Sequence, residues 1–263
     1  MTRTNRWQII YLSIFFVILY LPVLSVILYS FNANASTAKW TGLTLEWYRQ
    51  LFRDRVIGQA FVISIEVAIL TAILSAILGT AAAVVSLSLT ERMKKAVQWV
   101  MLLPLLVPEV ALGVSLLMFF NALGLPFGHL TLVLSHSLFC VPYVYVMVRL
   151  RLAEIDRAII ESARDLGATK WQTVKTIILP LVMPSIITAG LLAVAMSLDD
   201  VVISTYMSGP RTTTLPVHIF SMMRVGVTPK VNALCTLILF GTFLIIGVNQ
   251  FVNKNSKRRG LSS

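Results

Sequence analysis

Residues 161–167 read Glu161-Ser162-Ala163-Arg164-Asp165-Leu166-Gly167, and nine residues later the chain reads Ile177-Ile178-Leu179-Pro180. This compact, charged, helix-prone stretch lies between two long apolar runs. Arg157 to Leu166 favours helix, and Gly167 suits the left-handed position that stops one. Thr169 followed by Gln172 is a capping box for a second helix. The apolar positions Trp171, Val174, Ile177 and Ile178 keep one face of that helix apolar, and Pro180, by restricting Leu179, ends it. The expectation is two short helices meeting at a glycine and lying along one face of a membrane. Ala163 and Gly167 stand one turn apart and bare the backbone. Framed by Glu161, Arg164 and Asp165, they suit a groove on a partner better than lipid. An interfacial helix pair that only anchors the bundle is the competing reading.

The rest of the chain explains why a polar stretch stands out. Of 263 residues, 57% are hydrophobic and 13% charged, with mean hydropathy +0.83. Long uncharged runs in such a composition are read as membrane spans. Six are visible: Trp7 to Phe31, Val56 to Leu89, Ala96 to Leu123, Leu130 to Val148, Ile177 to Leu198, and Val231 to Val252. A span needs ~20 apolar residues, so the second and third runs must tilt, break or extend past the bilayer. The first run is too long for a cleaved signal and reads as a retained helix. The fold class expected is all-α, a polytopic membrane protein of six spans forming one domain over 1–263. Within it lie a loop at 149–180 and a second, periplasmic or re-entrant loop at 199–231. Cys140 and Cys235 fall inside apolar runs and read as small packing residues rather than a disulfide.

The net charge of +11 does not point to nucleic acid, because the basic residues are sorted by side. Alternating the loops places 15 of the 22 Lys and Arg residues on the side of both termini and the Glu161 loop, and 7 on the other. The positive-inside rule then makes the termini and that loop cytoplasmic, an N-in/C-in arrangement, with a basic, lipid-facing tail through Lys254, Lys257, Arg258 and Arg259.

Other local features follow from spacing. Thr71, Ser75 and Gly79 recur every fourth residue and let a neighbouring helix approach closely. Pro104 and Pro108 open the third run, and Pro180 and Pro184 the fifth, as packing kinks or as hinges. Val201 to Met207 is too short to cross and either dips into the membrane or covers the outer mouth of a pathway. Val217 to Arg224 is a short amphipathic piece. Thr228 with Pro229 is an N-cap and first-turn proline for the last span. Trp40, Trp47 and Tyr48 fit a membrane–water interface.

The spacing Glu161-x-Ala163-x-x-x-Gly167, then Ile177-x-Leu179-Pro180, resembles the coupling loop of permease subunits in bacterial ABC importers, with Ser162 where that family usually has Ala. A wider set of residues resembles the second permease subunit of spermidine/putrescine importers. It comprises Ser30-Phe31-Asn32, Trp47-Tyr48, Pro108-Glu109, Ser197 to Ser204, Gly209-Pro210, Thr214-Leu215-Pro216, Gly226 to Pro229 and Val231-Asn232-Ala233. The resemblance implies the type I importer permease fold in the bacterial inner (cytoplasmic) membrane. It implies a heterodimer with a second permease, two ATPase subunits that carry ATP and Mg, and a periplasmic substrate-binding protein. No cofactor or metal is expected on this chain. The ATPase-coupling residues implied are Glu161, Ser162, Ala163, Asp165, Gly167, Ile177, Leu179 and Pro180.

A polyamine is an extended polycation whose path should offer carboxylates and aromatic faces. Four of the chain's 11 acids lie in or beside apolar runs: Glu66, Glu109, Asp199 and Asp200. An acid at mid-bilayer costs roughly 2.5–3.5 kcal/mol on insertion scales, so it faces the bundle interior or a partner. Glu109, Asp199, Asp200 and the nearby Tyr206 are the candidate pathway residues. The bland alternatives are that Glu109 satisfies backbone groups freed by Pro108, that Asp199 caps its helix, that Asp200 sits in a salt bridge, and that Glu66 is solvated. A standalone secondary transporter would often show paired internal repeats, and none is visible. An enzyme is disfavoured because no nucleophile set or phosphate loop appears and His129, His136 and His218 lack ligand spacing. His136 reads as a satisfied core histidine.

Overall fold

The computed structural model describes residues 6–35 and 39–243. Among the described residues the regular structure is helical, apart from an isolated bridge between Asn32 and Leu43. In order these are α1 (Arg6–Tyr29), α2 (Glu46–Arg53), α3 (Arg55–Ser86), α4 (Glu91–Leu106), α5 (Glu109–Ala122) and α6 (His129–Ala153). Then follow α7 (Arg157–Asp165), α8 (Lys170–Thr173), a π-turn at Val174–Ile178, α9 (Leu179–Asp199), α10 (Val202–Met207), α11 (Leu215–Val225) and α12 (Pro229–Phe243). An all-helical answer is what a bilayer demands, since a helix satisfies its backbone within one segment. The described residues up to Arg55 and from Ile219 onward form one compact unit, and Val56–His218 form another.

Among the described residues, four helices are long and apolar enough to cross a membrane: Trp7–Tyr29, Arg55–Ser86, His129–Ala153 and the continuous Lys170–Asp199. The third apolar run is not a straight span. It is α4 and α5, bent by 103° where they meet, and counts as a fifth crossing only if the pair is taken as one broken span. The bend belongs to Pro108, which holds Val107 extended at ψ 130°, whereas Pro104 is absorbed inside α4. Of the sixth run, α12 is described. Val231 N–H points at Thr228 Oγ1 from 3.5 Å, so the expected N-cap is in place. The remainder of that run, and the basic tail from Lys254 to Arg259, lie outside the described residues.

In the Val56–His218 unit, the small-residue stripe does what its spacing predicts. Thr71 and Ser75 are fully buried, and a Cβ added to Gly79 would stand 2.7 Å from Val144 Cβ and 2.9 Å from the Tyr145 backbone nitrogen. α6 therefore passes against the bare backbone of α3. One core gathers Ala83, Val144, Val148, Ile178 and Val182, and another gathers Val67, Phe120, Leu132, Ile203 and Met207. Cys140 is buried with its Sγ 3.8 Å from the Ala193 carbonyl, and neither it nor Cys235 is in a disulfide.

The other unit is organised around Asn32. Its side-chain nitrogen donates to the Lys39 carbonyl and its Oδ1 accepts from Thr41 N–H, while its own carbonyl accepts from the Trp47 indole at 2.7 Å. Ser30 Oγ and Tyr48 OH are 2.7 Å apart. Residues separated in sequence, Ser30-Phe31-Asn32 and Trp47-Tyr48, thus form one knot at the end of α1. In the same unit Lys230 Nζ reaches Asp54 Oδ2 at 2.7 Å.

Candidate functional site

Two constellations stand out in the Val56–His218 unit: the exposed turn between α7 and α8, and the junction of α5, α9 and α10.

The turn is built from local hydrogen bonds. Asp156 caps α7 by accepting from Ala158 N–H at 2.9 Å. At the far end Ala168 N–H donates to the Ala163 carbonyl and Gly167 N–H to the Arg164 carbonyl, at 3.0 and 2.9 Å. This is a Schellman stop, and Gly167 takes its left-handed position with φ +88°. Gln172 N–H donates to Thr169 Oγ1 at 3.2 Å while Thr169 N–H donates to Gln172 Oε1 at 2.8 Å, completing the expected capping box. Glu161, Ser162, Asp165 and Gly167 are exposed and Ala163 is half-buried.

Two expectations about the second half need correction. Pro180 does not end the α8 helix. The chain continues through the π-turn into α9, and Leu179 stays helical at φ −61°, ψ −45° despite preceding a proline. Leu179 N–H bonds back to the Val174 carbonyl in the wider π register, and this one-residue widening lets a residue without an N–H follow without breaking the rod. Nor do the four apolar positions share a face. Ile178 is buried against Val182, but Trp171 is 71% exposed, as is Leu166 at 89%. The predicted coupling residues therefore divide. Glu161, Ser162, Asp165 and Gly167 are presented outward, while Ile177 and Leu179 are half-buried in the root and Pro180 lies at its surface. The sequence reading missed Leu166 and Trp171 as outward apolar groups. The signal for Leu166 was its place beside the helix-stopping glycine; Trp171 was hidden by the assumption of a regular helix.

At the second site α9 ends on Asp199. Asp200 turns the chain in extended geometry, and its carboxylate accepts from Ile203 N–H at 3.3 Å and Ser204 N–H at 2.7 Å, capping α10. From α6, His136 Nε2 lies 3.3 Å from Asp200 Oδ2 and 3.0 Å from Ser204 Oγ, and its Nδ1 lies 2.7 Å from Ser197 Oγ on α9. The partner anticipated for Asp200 is thus a residue 64 positions earlier, His136, which no local spacing could reveal. Glu109 is the first residue of α5, the helix that packs on α10. One turn on, Gly113 leaves room for the Tyr206 ring, because a Cβ there would fall 2.6 Å from Tyr206 Cδ2. All four predicted pathway residues therefore meet at this junction. Glu109 and Asp199 are exposed, Tyr206 is half-buried and Asp200 is buried. Glu66 does not join them; it pairs with His129 at 3.3 Å on an exposed face.

A family model described as binding-protein-dependent transport system inner membrane component matches residues 75–257. The chain belongs to this family. Both constellations, the α7–α8 turn and the acidic junction, fall inside the matched permease region. Among relatives, the putrescine transport system permease protein PotI of Escherichia coli (strain K12) is 43% identical over 250 residues, covering 92% of this chain and 89% of the relative. The spermidine/putrescine transport system permease protein PotC of Haemophilus influenzae is 34% identical over 246 residues, covering 94% and 96%. Among solved structures, a bacterial ABC transporter that imports the acidic polysaccharide alginate superposes with TM-score 0.75 at 14% identity over 95% of this permease. The MetNI methionine transporter, facing inward, gives 0.61 at 17% over 80%. At these identities the structural likeness speaks for the fold alone.

Proposed function

We propose that the chain is the permease subunit of an ATP-driven importer for polyamines, putrescine or spermidine, working by alternating access in the bacterial inner membrane. The observation that carries the cargo reading is the acidic junction. In a chain with 11 acidic residues, Glu109, Asp199 and Asp200 gather where α5, α9 and α10 meet beside Tyr206. Exposed carboxylates and an aromatic face are what an extended di- or polyammonium ion needs, held weakly enough to leave again. Kinship to permeases named for putrescine and spermidine supports the same reading.

The exposed turn and the family kinship support the following assembly. The α7–Gly167–α8 surface docks in a groove of a separate ATPase subunit, where ATP and Mg reside; this chain has no catalytic part in hydrolysis. A second permease completes the membrane domain, two ATPase subunits sit beneath it, and a periplasmic protein delivers the solute. In this reading residues 1–263 act as one six-span permease domain with both termini cytoplasmic, loop 149–180 is cytoplasmic and loop 199–231 faces the periplasm. Labelled putrescine uptake by cells expressing the intact transporter tests it. Glu109→Gln and Asp199→Asn should each raise KM at least fivefold with little change in Vmax. Unchanged KM in both variants would remove the acidic junction from the cargo path.

A further inference from the structure

Three helices converge on one imidazole. His136 comes from α6, Ser197 from α9 and Ser204 from α10, and all are buried with the Asp200 carboxylate, itself 5% exposed. Both oxygens of that carboxylate are engaged from within the chain. Oδ1 accepts from Ile203 N–H, and Oδ2 accepts from Ser204 N–H while lying 3.3 Å from His136 Nε2. A buried carboxylate persists only where hydrogen bonds and a counter-group replace water, and removing one partner leaves the charge uncompensated. An ammonium ion approaching the junction therefore finds Asp200 closed, whereas Glu109 and Asp199 remain exposed. Asp200 also sets where α10 starts, and α10 carries Tyr206 onto Gly113 of α5.

We propose that His136 is a positioning residue that clamps Asp200 onto the first N–H groups of α10, fixing Tyr206 at the junction and leaving Glu109 and Asp199 as the carboxylates that meet the solute. The second half rests on the cationic-cargo reading; the clamp does not.

The chemistry of the ring gives a discriminating test. A glutamine amide reaches the place of Nε2 and can serve Asp200. An asparagine amide reaches the place of Nδ1 and serves Ser197 only. The reporter is Ile203→Cys, a fully buried position on α10, labelled in native membranes with a water-soluble maleimide and corrected for the same chain without that change. His136→Ala and His136→Asn should label at least tenfold faster than the His136 background. His136→Gln should stay within threefold of it, and so should His136→Ala combined with Asp200→Asn, where no charge is left to compensate. If His136→Ala labels at the background rate, or if Gln labels as fast as Ala, the clamp is wrong. If the double variant labels as fast as His136→Ala alone, the charge of Asp200 is not what the imidazole satisfies. Should the alanine variant fail to accumulate, the Asn–Gln contrast decides alone. In parallel, the KM for putrescine should rise less in Asp200→Asn than in Asp199→Asn. An equal KM rise in both overturns the division of roles, and a wild-type transporter that imports no putrescine overturns the cargo reading while the labelling still decides the clamp.

Discussion

Replacing Gly167 with alanine separates the shape of the exposed turn from the bulk of what it presents. Gly167 sits at φ +88°, and among the described residues a Cβ built there meets nothing within 4 Å apart from its chain neighbours. Alanine therefore costs nothing sterically within the subunit. The cost is conformational, about 1–2 kcal/mol for an L residue in left-handed geometry. That is roughly a 5- to 30-fold loss in the population of the turn as seen here. Asparagine, which tolerates this region better, should lose less. If the turn enters a groove on an ATPase, Gly167→Leu adds a clash outside the chain and falls well beyond the alanine value. The assay is retention of the ATPase on the purified tagged transporter, together with uptake rate, for the Ala, Asn and Leu variants. The expected order is wild type, Asn, Ala, Leu. Leucine and alanine variants that both retain the ATPase and import at the wild-type rate would refute docking through this turn.

Three other outcomes follow from contacts described above. Gly79→Val drives side-chain atoms into Val144 and the Tyr145 backbone and should destabilise by about 1–3 kcal/mol as an overpacked core, read as a lowered melting temperature in detergent. Trp47→Phe keeps the ring but removes the indole donor to the Asn32 carbonyl; a loss of about 1 kcal/mol should appear as faster proteolysis between α1 and α2 with uptake kinetics intact. Leu166→Asp, at a position 89% exposed, should leave melting unchanged yet weaken ATPase retention at least tenfold in a pull-down, and equal retention would exclude Leu166 from the interface.

Much of this architecture was legible because the decisive signals are local. The i, i+4 spacing of Thr71, Ser75 and Gly79 needed no knowledge of α6 to predict a close neighbour, and Gly167 with Thr169 and Gln172 fixed the α7–α8 turn through hydrogen bonds spanning a few residues. The misreadings share a different cause. Pro180 reads as a stop only if the helix keeps regular α register, and the π-turn at Val174–Ile178 removes that premise. The same widened turn upsets the count that put Trp171 on one face with Ile177 and Ile178. Asp200 was a pathway candidate with a salt bridge as its competing reading; its partner His136 is set by tertiary packing of α6 against α10, and neither residue's neighbours in sequence carry that information. The 103° bend at Pro108 was foreseen as one of several ways to accommodate a long run, but its size is a matter of packing.

The continuity of Lys170–Asp199 has a mechanical consequence. This 30-residue rod, about 45 Å at 1.5 Å per residue, has the exposed turn at one end and the acidic junction at the other. Its π-turn carries one residue more than an α path would use. Should that surplus residue be drawn into ordinary α register, everything beyond it would rotate by about 100° and advance by about 1.5 Å. Asp199 would then change the direction it faces through a rearrangement of a single turn next to Trp171, without any bend in the rod. Any turning of Asp199 by this route would have its angle set by the spacing of Val174 to Ile178.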